Sequence, residues 1–172
     1  MRTTSQYGDL GRIVSGVTPL ATGILFVIIG AIPAGLPQFS PVTPLFGLGV
    51  VFFWVLTRPS LMPPAAVFTI GLLQDGLSGG PIGLWTLTFL LVQAVTVSQR
   101  RRLLGEAAGF GWLVFAPVAF GAGAIAWLVA CIFYGALISP TPVFVQAVLT
   151  ALTYPVVAWI LVRFWRRMPP VI

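Results

Sequence analysis

The chain has 172 residues, 58% of them hydrophobic and only 7% charged, and its mean hydropathy is +1.04. An ordinary soluble domain is about 25% charged, so this composition cannot build a water-facing surface and makes the bilayer the main solvent. The net charge of +6 comes from nine arginines against Asp9, Asp75 and Glu106; with no basic stripe or aromatic RNP-like pattern, it argues for membrane orientation and against nucleic acid.

The length suits a single transmembrane domain over 1–172, with a short cytoplasmic N-terminus of about 1–16 and a short basic C-terminus of about 165–172. Crossing about 30 Å of hydrocarbon takes roughly 20 helical residues, somewhat fewer with snorkelling ends. Six stretches qualify. The first runs from about Val17 to Leu36; its polar lead and length fit an uncleaved span better than a removed leader. The second runs from about Pro41 to Thr57, with Ser40 as a candidate N-cap and Pro41 at the first helical position. Arg58-Pro59-Ser60 separates it from the third, about Ser60 to Gln74.

Gly79-Gly80-Pro81 opens the fourth stretch, Ile82 to Ser98. The fifth is long, from about Phe110 to Ile138. Ser139-Pro140-Thr141-Pro142 opens the sixth, from about Pro142 to Phe164. Prolines and glycines inside the spans (Pro19 and Gly23, Pro117 and Gly121, Pro155) predict close helix packing with local kinks. Discontinuous helices around a transport site are the sharper alternative, but the two halves show no internal repeat.

With six spans, every group of arginines falls on one side: Arg2 and Arg12, Arg58, Arg100–Arg102, and Arg163 with Arg166 and Arg167. The positive-inside rule makes that side cytoplasmic, so both ends are expected in the cytoplasm. Arg58, Arg100, Arg101, Arg102, Arg163, Arg166 and Arg167 form a cytoplasmic basic face suited to anionic lipid, with partner docking as the lesser reading. Trp54, Tyr134 and Trp165 are expected at the interfaces, as an aromatic belt.

Candidate chemistry is sparse. The chain has no histidine, one cysteine (Cys131) and no paired acids, so no metal site, cofactor or acid–base machinery is expected. Serines and threonines are present without anything resembling a base, which argues against an enzyme.

Asp75 is the one acid within or at the edge of a span. A charge at the bilayer centre would cost about 3 kcal/mol on insertion scales, less at the end of span three. It therefore needs local donors, and the backbone N–H groups of Gly76, Ser78, Gly79 and Gly80 could supply them in an Asx-type turn, after which Pro81 restarts the chain. The functional alternative is a proton or cation site at Asp75 with Gln74 and Gln93 nearby.

The run Gly71-Leu72-Leu73-Gln74-Asp75-Gly76-Leu77-Ser78-Gly79-Gly80-Pro81-Ile82-Gly83-Leu84 resembles the signature of the MreD family, the rod shape-determining membrane proteins of bacteria. There the pattern is Gly-Leu-x-x-Asp-x-Leu-Ser-Gly-x-Pro-Leu-Gly; Ile82 stands where leucine is commoner. Arg58-Pro59 and Leu61-Met62-Pro63 upstream, and Phe89-Leu90-Leu91-Val92 with the arginine triplet downstream, extend the likeness over about Trp54 to Arg102. Elsewhere it rests on length, span count and orientation.

The resemblance implies an all-α integral membrane protein of about six helices in the bacterial inner membrane, similar in fold to the S-components of energy-coupling-factor transporters. It implies a non-catalytic scaffold that helps organise lateral peptidoglycan synthesis and rod shape. The implied partners are the bitopic protein MreC and, through it, the MreB filament, the RodA glycosyltransferase and a penicillin-binding transpeptidase. Asp75, Leu77, Ser78, Gly79, Pro81 and Gly83 then become a motif turn with a structural or partner-binding role.

Gln93, Gln146, Thr150 and Thr153 could hydrogen-bond across helices, each worth about 0.6 kcal/mol. The competing function is a small-molecule-binding transporter subunit of the S-component kind. It would need a polar pocket on the side of Asp75 and the Ser139–Pro142 loop.

Overall fold

The computed structural model describes the backbone of residues 3–32 and 43–165, and the side chains of 16–32, 43–104 and 111–165. Among these residues the fold is all-helical. Its helices are α1 (Thr3–Ala31), α2 (Phe46–Thr57), α3 (Pro64–Ser78), α4 (Leu84–Tyr134) and α5 (Thr141–Trp165), with a 3-10 turn at Pro59–Leu61 between α2 and α3. The proposed cap and first turn at Ser40 and Pro41 lie outside the described residues, as do Arg166 and Arg167.

The centre of the bundle is α2. Apolar residues cover it on every side, and all of Gly47 to Leu56 is buried. A helix apolar all round suits surroundings of protein or lipid on every side, and this one is surrounded by the other four. Phe52 and Trp54 on α2, and Phe89 and Phe115 packed against it, are fully buried, and the Tyr154 ring stacks on Phe115 with centroids 4.1 Å apart.

The contacts fix the direction of each pass. Arg58 and Trp165 meet at one end of the bundle, which we term the arginine end, while Thr43 and Gln146 meet at the other, the Asp75 end. On α1, Thr22 lies beside Trp54 and Gly30 beside Phe46, so α1 runs against α2. Met62 meets Gln93, whereas Gly71 meets Thr86, so α3 and the first half of α4 are antiparallel.

Helix α4 does not run straight. From Phe89 to Phe115 a straight helix would rise about 39 Å at 1.5 Å per residue. Yet Phe89 lies against Gly47 and Phe115 against Phe52, on a central helix only about 18 Å long. The first half descends with α2, from Phe89 beside Gly47 to Arg100 beside Leu56. The second half climbs against α5, from Phe115 beside Tyr154 to Gly123 beside Val143. The sequence predicts two spans with a basic loop between them; the backbone reverses there, but the residues on both sides of the bend, the arginine triplet included, are helical.

Other boundaries move too. The first helix begins at Thr3, taking in the polar lead, and the third extends past Gln74 to Ser78. The alternation of passes follows the predicted order, but only two segments among the described residues are both long and apolar enough to cross a membrane. These are Gly111–Tyr134 (24 residues) and Thr141–Trp165 (25 residues). Gly16–Ala31 and Phe46–Thr57 are apolar but shorter.

Candidate functional site

The Asp75 carboxylate sits in the last turn of α3, is 2% exposed, and is aimed at the first turn of α4. Four donors converge on it. Oδ1 accepts the Trp85 N–H at 2.7 Å; Oδ2 accepts the N–H groups of Gly83 at 2.9 Å and Thr86 at 3.2 Å, and the Thr86 hydroxyl at 2.6 Å.

A helix start leaves its first N–H groups without intrahelical partners, and a side-chain oxygen at the N-cap normally takes one or two. Here the N-cap is Gly83, held at φ 99°, where a side chain would be strained and none exists to cap. Asp75 supplies the missing cap from the neighbouring helix. Its charge also faces the positive end of the α4 dipole, which offsets its position at the negative end of α3.

The expected local turn is therefore corrected in its donors. Gly76, Ser78, Gly79 and Gly80 donate nothing to Asp75; the partners lie eight to eleven residues downstream. Gly79 does form the turn's left-handed end, φ 66°, as the C-cap of α3. Ser78 is exposed, and its hydroxyl donates to the Gln74 carbonyl while accepting from the Gln74 side chain. Leu77 is half-exposed and Pro81 partly buried in the connecting turn. A Cβ on Gly71 would stand 2.5 Å from the Thr86 Cα, so glycine lets α3 and α4 approach closely enough for the clamp to close.

The expected grouping of Asp75 with Gln74 and Gln93 does not form. Gln93 is two turns further along α4 and donates to the Met62 carbonyl at 2.8 Å. Among the described residues no group of three histidine, cysteine or carboxylate side chains could hold a metal ion.

A second polar connection crosses the same end of the bundle. Gln146 donates to the Thr43 carbonyl at 2.9 Å, and Thr150 accepts the Leu45 N–H at 2.9 Å, tying α5 to the entry of α2. Thr153 instead bonds to carbonyls of its own helix. Between these ties and the Asp75 clamp lies a cavity of about 420 Å³, whose walls include Thr43, Gln74, Ser78, Leu84, Trp85 and Gln146.

At the arginine end, Arg100 is not a free surface cation. Its Nε donates to the Leu56 carbonyl at 2.9 Å and its Nη2 to the Thr57 carbonyl at 3.2 Å, capping the C-terminus of α2. Arg58 stacks over Trp165 and Arg163 over Trp159, at 5.5 and 5.8 Å. Arg101 and Arg102 are exposed. Trp54, expected at an interface, is fully buried, and its indole donates to the Thr22 hydroxyl at 3.1 Å.

Sequence reasoning missed Trp85 and Thr86 as the other half of the clamp. The available signal was a glycine N-cap preceded by an acid eight residues earlier. No protein-family model, no curated protein and no solved structure matches the chain.

Proposed function

We propose that the chain is a multi-pass protein of the bacterial inner membrane and a non-catalytic scaffold subunit of the MreD kind. In this reading the six alternating passes all cross the bilayer, with the arginine end cytoplasmic. Many large apolar side chains on the outside of the bundle, among them Leu25, Phe68, Leu128, Phe144 and Trp159, favour lipid as their surroundings. The scaffold organises lateral peptidoglycan synthesis by holding MreC, and through it MreB, RodA and a penicillin-binding transpeptidase.

One observation carries the non-catalytic reading. Asp75, the acid of the signature segment, has both carboxylate oxygens engaged by four donors from an adjoining helix. A group so enclosed fixes the geometry of the α3–α4 corner and presents that corner, Leu77 and Ile82 outward, as a shaped surface.

The test is recovery of the tagged chain from its native membranes in mild detergent. Co-recovery of MreC, reduced in Asp75→Asn, is the expected result. Recovery of an ATPase module with its coupling subunit, and no MreC, would overturn the proposal in favour of a transport role.

A further inference from the structure

The cavity at the Asp75 end has a lining whose hydrogen-bonding needs can be counted. Gln146 donates through Nε2 to the Thr43 carbonyl. Only the NH₂ of an amide can donate to a carbonyl, so this bond fixes which way the amide points and leaves its Oε1 as the remaining group. Gln74 is fixed in the same manner. The Ser78 hydroxyl gives its proton to the Gln74 carbonyl, so it can only accept from the Gln74 side chain, which must present its NH₂. Neither Oε1 has a hydrogen-bond partner among the described residues, and the indole N–H of Trp85 has none there either.

The residues that line the cavity thus carry, among the described residues, two unmet acceptors and one unmet donor, alongside the apolar side chain of Leu84 and the Trp85 ring. None of the described residues lining it is charged. The nearest charge, Asp75, is buried and fully engaged, and the described arginines that make contacts make them at the opposite end. An ion placed here would give up part of its hydration with no opposite charge on the described lining to replace it, which disfavours phosphates, carboxylates and ammonium groups. A purely apolar ligand would strand the amide oxygens. At about 30 Å³ per water, 420 Å³ corresponds to on the order of fourteen water molecules, a space that suits one sugar-sized ring and is within the usual range for ligand pockets.

We infer that this cavity binds an uncharged polyhydroxyl group of monosaccharide size. Hydroxyls donate to the two glutamine oxygens and accept from the Trp85 indole, while the C–H face of the ring packs on Trp85 and Leu84. The group can come as a free sugar or as the neutral headgroup of a glycolipid. The inference does not depend on the scaffold reading, because the isolated chain is what binds.

The experiment uses the full chain in phosphatidylcholine nanodiscs, with methyl β-glucoside as the soluble probe and monoglucosyl diacylglycerol as the lipid-borne one. Saturation-transfer NMR follows the first, native mass spectrometry the second, and glucose 6-phosphate is the charged control. Saturable binding of methyl β-glucoside identifies a free-sugar site, and selective retention of the glycolipid alone identifies a headgroup site.

In either case Gln146→Leu should weaken binding about tenfold, near the upper worth of one neutral hydrogen bond. Gln74→Leu, whose amide bonds only within its own turn, should do the same in a chain with unaltered helical circular dichroism. The inference is overturned if neither probe binds, if both variants bind as the parent does, or if glucose 6-phosphate binds as tightly as the methyl glucoside.

Discussion

The two ends of the bundle solve one problem with opposite charges. At the Asp75 end, a carboxylate on α3 satisfies the orphan N–H groups that open α4. At the arginine end, a guanidinium on α4 satisfies the orphan carbonyls that close α2. Each charge faces the dipole of opposite sign; Asp75 joins two consecutive helices, α3 and α4, whereas Arg100 joins α4 back to α2. The difference is burial. Asp75 is 2% exposed and accepts four hydrogen bonds, whereas Arg100 is partly exposed and donates two. A buried cap is costly to break because its partners cannot turn to water; an exposed one is replaced by solvent.

The largest effect should therefore follow loss of the Asp75 charge. In Asp75→Asn the amide NH₂ confronts donors, so at least one N–H of Gly83, Trp85 or Thr86 is left unpaired. We expect a loss of about 3 kcal/mol, measured by reversible unfolding of the purified chain in mixed micelles. A loss below that of Arg100→Ala would break the comparison.

Arg100→Ala should cost about 1 kcal/mol in the same assay, since water can reach the Leu56 and Thr57 carbonyls once the guanidinium is gone. The same change should leave hydrogen-exchange protection at the start of α4 unaltered, while Asp75→Asn should lower it there first.

Between the two capped ends lies a polar atom with no cap at all. The Thr96 hydroxyl is the one buried side-chain polar atom without a hydrogen-bond partner among the described residues. It sits on α4 between Gln93 and Arg100. Thr96→Val keeps the shape and removes the unmet hydroxyl, so it should stabilise the chain by about 1 kcal/mol. Destabilisation would mean that Thr96 has a partner in the folded membrane form, and would put a third polar tie in the middle of the bundle.

How far the sequence foretold all this depends on what kind of information each feature needs. The helices were legible, because unbroken apolar runs punctuated by Pro59, Gly79-Gly80-Pro81 and Pro140 leave few other readings. That Asp75 required donors was legible from the cost of an unpaired acid. Which donors it has was not, because an Asx turn is a local rule and the clamp depends on where α4 begins in space. Trp54 failed for a related reason: an aromatic near a predicted span end reads as an interface residue, and only the enclosure of α2 by every other helix makes it core. The continuity of α4 through the arginine triplet was equally hidden, since charge sets where a helix leaves the hydrocarbon but does not end helical hydrogen bonding. The cavity is assembled from four separate segments, with Gly30, Thr43, Gln74 and Gln146 far apart in the chain, and periodicity carries no such information.

The smallest effect should come from Ser78→Ala, and it decides what the signature segment is for. Ser78 lies three residues from Asp75 within the same motif, yet it is exposed and bonds only to Gln74, one turn back on its own helix. Its removal should change stability by less than about 0.5 kcal/mol, since water replaces both bonds. If the segment serves only to close the α3–α4 corner, Ser78→Ala should also leave MreC recovery at the parental level while Asp75→Asn lowers it. A stable Ser78→Ala chain that loses MreC would instead assign the exposed side of the turn to partner contact. The clamp would then be the support beneath that surface, with the carboxylate fixing the shape and the serine meeting the partner.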